Sequence, residues 1–110
     1  IAGELVPRPA TEREARGLPG GGIVVATPAA WSTVNGFDPR FVGWGGEDYA
    51  LGVALAMLVG RPWTPPPSTL WHLWHPRKPR SATNASRALW RRYRHAARDR
   101  DAIAEIVREW

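Results

Sequence analysis

The chain contains no cysteine among its 110 residues, which excludes a disulfide framework and any thiolate metal site. It also lacks a long hydrophobic run. The longest near-apolar stretch is residues 49–59, too short to span a bilayer and of the length expected for a buried core helix. No signal-peptide pattern and no internal repeat are recognisable. Acidic residues are in the minority, 10 against 15 basic ones, for a net charge of +5 carried almost wholly by arginine. From Arg77 onward the count is ten basic to four acidic. Such an excess invites a nucleic-acid or membrane reading. A solvated helix face is the commoner explanation of a charge run, so nucleic acid is not an expected partner. The lack of cysteine is compatible with a reducing compartment, and a cytoplasmic location is expected.

What is present is a globular composition. The apolar fraction is 44%, close to the average for folded domains and too high for global disorder. The length suits one small domain with a modest core. Residues 1–19 read as an irregular lead-in broken by Pro7, Pro9 and Pro19. Because the chain opens on Ile1 in this proline-rich stretch, it is expected to be a piece of something longer. Gly20-Gly21-Gly22 precede Ile23-Val24-Val25-Ala26, a run suited to a short buried strand.

A punctuated helix should follow: Thr27 can cap it, Pro28 opens it, and Asn35-Gly36 supplies a left-handed exit. Trp31 and Val34 would form its buried stripe. A second helix is expected over residues 47–59, apolar nearly all round and ended by Gly60 and Pro62. Residues 69–75, rich in Trp and stopped by Pro76, read as a short strand. Residues 84–98 and 101–109 read as helices, with Leu89, Tyr93, Ala96 and Ala97 lining one and Ile103, Ile106, Val107 and Trp110 the other. The division is thus a lead-in at 1–19, a central domain at 20–80 and basic helices at 81–110. Asn84-Ala85-Ser86 fits a glycosylation acceptor pattern, but a capping role for Asn84 or Ser86 is expected instead.

The informative block is Asn35-Gly-Phe-Asp-Pro-Arg-Phe-Val-Gly-Trp-Gly-Gly-Glu-Asp48. Glu47 and Asp48 stand where a helix begins, beside unpaired N–H groups and the positive end of its dipole. That setting favours the ionised carboxylate, able to take a hydroxyl proton or hold sugar hydroxyls. Gly43, Gly45 and Gly46 bracket Trp44, whose flat face suits the C–H side of a pyranose. An N-capped helix after a glycine turn is the plain alternative.

The same block resembles the C-terminal domain of the β-1,4-galactosyltransferase family and its bacterial and polypeptide N-acetylgalactosaminyltransferase relatives. Gly21-Gly22-Ile23 resembles the glycine pair opening the strand beside the donor sugar. Trp71-His72-Leu73-Trp74-His75-Pro76 resembles the segment that returns a metal-ligating histidine. The resemblance covers roughly residues 20–95, with the three blocks in the same order.

It implies the C-terminal part of a GT-A fold, a Rossmann-like α/β/α sandwich, here helix-rich with a few short strands. It implies Asp48 as general base and Glu47 as holder of the donor sugar. Trp44 would pack on bound sugar, with Gly21, Gly22, Gly45 and Gly46 lining the donor and acceptor site. His75 would ligate manganese, or another divalent metal, with His72 beside it. The remaining ligands would come from outside this chain. Three departures stand out. Tyr49 and Ala50 follow the Glu-Asp pair where the family carries further aspartates, and Ala54 stands where an arginine is often found. The family's Asp-x-Asp metal motif has no counterpart in residues 1–19.

The function expected is transfer of a sugar from a nucleotide diphospho-sugar to an acceptor hydroxyl, inverting and metal-dependent. The nucleotide-binding half would be the missing N-terminal part of the same enzyme, leaving the isolated chain inactive. The alternative is a non-catalytic module, derived from a glycosyltransferase, that binds carbohydrate or a partner.

Overall fold

The computed structural model describes residues 23–62, 73–76, 78–79 and 81–110. All regular structure among them is helical: α1 (Pro28–Thr33), α2 (Glu47–Leu58), α3 (Asn84–Ala96) and α4 (Arg100–Val107).

Three of the four described helices start on a capping side chain. Thr27 caps α1, its Oγ1 accepting the Ala30 N–H at 3.1 Å, with Pro28 at the first helical position. Thr83 caps α3 by accepting the Ser86 N–H at 3.0 Å. Asp99 caps α4 through the Asp101 and Ala102 N–H groups at 2.8 and 3.2 Å. Such caps satisfy donors that a helix end otherwise leaves orphaned. α1 exits through Asn35 at φ 58° and Gly36 at φ 72°, the expected left-handed stop. Gly36 has a second constraint, since a Cβ there would lie 2.9 Å from the Trp31 ring.

α2 is the central element and packs against α1, α3 and α4. It buries Ala50, Leu51, Val53, Ala54, Ala56 and Met57. Its small residues let neighbouring helices approach closely. α3 adds Tyr93, and the turn after it adds Ala97. α4 adds Ile103, Ile106 and Val107. Val34, at the end of α1, is fully buried in the same cluster. Burying each such aliphatic side chain contributes roughly 1.5–3 kcal/mol before entropy is counted.

Three expectations are corrected. The anticipated short strands are not seen among the described residues, which are helix-rich and form no α/β sandwich. Residues 23–26 form no strand, and Ile23, Val24 and Val25 are exposed at 74%, 60% and 91%. An apolar run becomes a buried strand only when other strands flank it, and none among the described residues does. The proposed strand at 69–75 lies largely outside the described residues; Leu73, Trp74 and His75 are irregular and exposed. Trp31 is not core either. It is 43% exposed and meets Phe37 edge-on, ring centroids 5.6 Å apart. A six-residue helix offers a single turn to the core, and Val34 takes that place. Finally, Thr83 rather than Asn84 or Ser86 caps α3, which frees the Ser86 hydroxyl for another task.

Candidate functional site

The loop over residues 35–46 carries the chain from α1 to the start of α2, and three anchors shape it. The first is Asp38, 5% exposed. Its carboxylate accepts the Arg40 backbone N–H at 3.0 Å and the Arg40 guanidinium at 2.9 and 2.8 Å. It also accepts the Tyr93 hydroxyl of α3 at 3.0 Å. Burial alone would raise this carboxyl; the Arg40 and Tyr93 hydrogen bonds and the Arg40 charge outweigh it and hold it below the ordinary carboxylate range. Burial first, then the Asp38 charge, keeps the Tyr93 phenol neutral well above its usual range. Arg40 reaches on to Glu109, which also pairs with Arg92. Those two arginines hold Glu109 down to about 2.

The second anchor is Ser86, 1% exposed. Its Oγ accepts the Val42 N–H at 2.8 Å and donates to the Val42 carbonyl at 2.9 Å. One hydroxyl thus serves both backbone groups of a loop residue that no ladder supports. The third anchor is Ser81, whose Oγ accepts the Trp44 N–H at 3.1 Å. Gly43 presses on the same residue: at φ 83°, a Cβ would fall 2.1 Å from the Ser81 carbonyl oxygen. Only glycine fits.

The glycine loop therefore rests on the entrance to α3. Ser86→Ala should cost about 1 kcal/mol, the net worth of a typical internal hydrogen bond, as read by urea unfolding, because Val42 is partly solvated and its carbonyl keeps the Thr83 N–H. A loss within a few tenths of a kcal/mol would mean that water replaces the hydroxyl.

Beyond the anchors stand the residues singled out by sequence. Trp44 is 53% exposed. Gly45 and Gly46 take φ of 121° and 103°, and Gly46 is the residue before α2. Glu47 turns back so that its Oε2 accepts the Gly45 N–H at 3.0 Å, closing the loop on itself. Asp48 is exposed. Partial loss of solvation, with the Glu47 charge second, pushes its carboxyl above the ordinary value. The helix-start setting had predicted the reverse; the adjacent like charge and the packed protein beside it outweigh the dipole. Aromatic side chains back the loop. Trp90 of α3 meets Tyr49 at 5.8 Å between ring centroids, and a Cβ on Gly46 would lie 3.4 Å from it.

Glu47, Asp48, Trp44, Gly45 and Gly46 are thus brought together at one helix entrance. Gly21, Gly22 and His72 lie outside the described residues. His75 is exposed, its Nδ1 3.0 Å from the Pro76 carbonyl oxygen. Among the described residues no three His, Asp or Glu side chains converge as a metal site would require. The departures at Ala50 and Ala54 now have a structural meaning: both are 2% exposed, so an aspartate or arginine there would be buried in this core. Sequence reasoning assigns no task to Asp38, Arg40 or Ser81, and gives Ser86 only a capping role. The Asp-x-Arg spacing was the one available signal for the first two, and the serines lie some 40 residues away from the backbone they hold.

No helix among the described residues is long and apolar enough to cross a membrane. Searches of curated proteins and of solved structures return no significant match. The family described as the N-terminal domain of galactosyltransferase matches residues 7–61, half of the chain. The matched stretch contains the whole glycine loop with Trp44, Glu47 and Asp48, and it ends before His75. It supports the family named by the resemblance, though not the placement in a C-terminal domain. The chain belongs to a galactosyltransferase-like family of glycosyltransferases.

Proposed function

We propose that this chain carries the acceptor-side wall of a glycosyltransferase site, transferring sugar from a nucleotide diphospho-sugar to an acceptor hydroxyl with inversion. The observation that carries the proposal is the α2 entrance: an exposed Trp44 on a pinned glycine loop, directly before Glu47 and Asp48. Asp48 serves as the base. Its carboxyl makes no hydrogen bond among the described residues and is raised from its ordinary value, which makes it a somewhat stronger base for the proton of the incoming hydroxyl. Glu47, tied to the Gly45 N–H, is oriented to hold donor hydroxyls with its remaining lone pairs. Trp44 offers its indole face to a sugar ring. The whole-enzyme test compares Asp48→Asn and Glu47→Gln for turnover and donor affinity. Asp48→Asn should lose turnover while donor affinity is kept.

A manganese ion belongs to this reading through the family resemblance alone. The described donors do not make a site for it. His75 is the proposed contribution of this chain, its other ligands coming from elsewhere in the enzyme. His75→Ala should then raise the manganese concentration needed for half-maximal activity, while His95→Ala, on the exposed face of α3, should not. Equal metal dependence in both variants would leave His75 without that role. The second reading is a binding module without turnover, motivated by the lack of an Asp-x-Asp counterpart in residues 1–19. Carbohydrate binding with no transfer in the full-length protein would select it.

A further inference from the structure

We propose that the exposed arginine face of α3 is a docking surface for an acidic polysaccharide, the non-reacting length of the acceptor. This rests on the glycosyltransferase reading above. Arg87, Arg91 and Arg94 are exposed and stand at i, i+4 and i+7, a single stripe of the helix about 10 Å long. α3 contains no acidic residue.

The charges on this stripe are not neutralised within the described structure. Arg87 donates to the Ala82 carbonyl and the Asn84 side-chain oxygen, both uncharged. Arg94 lies over the Trp90 ring at 5.2 Å. The only ion pair of α3 among the described residues is Arg92 with Glu109, on a different side of the helix. A fixed row of like charges raises the local concentration of an anionic partner and aligns a repeating one. Arginine adds planar, bidentate recognition of carboxylate or phosphate.

Continuity with the candidate site selects the occupant. Arg94 rests on Trp90, Trp90 meets Tyr49, and Trp90 also backs Gly46, the residue before Glu47. A chain lying along the stripe therefore leads to the carboxylates within one layer of side chains. A membrane surface fits less well. An interfacial helix needs its apolar face free to enter the headgroup boundary. Here Tyr93 is buried in the core, and Leu89 and Ala96 pack against it. The core-facing stripe and the basic stripe thus coexist on one helix, so the first does not argue against the second.

The test measures binding by the protein at its full natural length, wild type against the double variant Arg91→Gln/Arg94→Gln. Both side chains are exposed, so the variant should fold, which circular dichroism checks. The probes are polygalacturonate, neutral dextran, vesicles one-quarter phosphatidylglycerol, and a single-stranded oligonucleotide.

Polygalacturonate should bind best, weaken as salt rises, and lose at least roughly tenfold in affinity in the variant, about 1.4 kcal/mol. Dextran should not bind. Equal binding by wild type and variant, or tighter binding of vesicles or oligonucleotide than of polygalacturonate, overturns the proposal. Transfer activity separates the two readings. Lost polyanion preference with intact transfer defeats the docking surface alone. Salt-sensitive polygalacturonate binding without transfer defeats the enzyme reading alone. Asp48→Asn should bind polygalacturonate as wild type does.

Discussion

Asp48→Asn is expected to lower turnover of the full-length enzyme by at least roughly 10²-fold, the low end for removing a general base, with donor affinity largely kept. The isosteric amide keeps shape and hydrogen-bonding capacity but cannot take a proton at neutral pH. Since Asp48 makes no hydrogen bond among the described residues, its loss should leave the fold untouched. Unchanged thermal stability in the variant would show that the effect is chemical. The pH profile supplies a second readout. A base acts in its ionised form, so activity falls as pH drops through its pKa. Partial burial and the Glu47 charge raise that value, so the acid limb should lie higher than for an unperturbed aspartate. Glu47→Gln removes the like charge and should move the limb of the residual activity downward. Near-normal turnover in Asp48→Asn, or a limb indifferent to Glu47, would sink the assignment.

The parts of this structure that were legible in the sequence are those decided by neighbours along the chain. The Thr27 cap, the Pro28 start and the Asn35-Gly36 exit of α1 depend on contacts within four residues, and all three hold. The same is true of the α2 bounds, where Gly46 and Gly60 supply the punctuation. The apolar stripes of α3 and α4 were readable because helix periodicity alone fixes which side chains share a face.

What escaped is what long-range pairing decides. Ile23-Val24-Val25 has the residue types of a strand, but strand formation requires partners that local sequence does not reveal. Trp31 was misplaced because its spacing to Val34 sets a shared face, not how far a bulky ring clears the core. The loop anchors were hidden for a related reason. Ser86 looked like a capping residue, and only folding brings its hydroxyl to Val42, 44 positions earlier. The carboxylates were found by type and spacing, yet the direction of the Asp48 shift depended on packing that spacing does not encode.

Asp38→Ala should be the most destabilising single change in the loop, at about 3 kcal/mol by urea unfolding, the lower end for breaking a buried ion pair. Four donors converge on this carboxylate, from the Arg40 backbone, the two arms of its guanidinium and the Tyr93 hydroxyl. Removing it strands a buried phenol and an arginine that is itself only one-third exposed, at 34%. Glu109 still holds Arg40, which is why the lower end of the range applies.

Arg92→Gln, which breaks only the exposed end of the same network, should cost under about 1 kcal/mol. Comparable losses in the two variants would show that burial does not set the strength of this anchor. The pH dependence must agree in sign. The folded Asp38 carboxyl lies below the ordinary aspartate value of 3.8, so its contribution is fully present above that value. It disappears as pH falls through the folded value. Glu109, lowered from 4.5 to about 2, loses its contribution in the same direction over that interval. Acid unfolding should therefore steepen below about pH 4.5, and Asp38→Asn should flatten it. Because Asp38 holds the start of the loop that ends at Trp44 and Glu47, Asp38→Ala should also weaken sugar binding. Asp48→Asn should leave stability alone, so the pair of variants separates the support of the site from its chemistry.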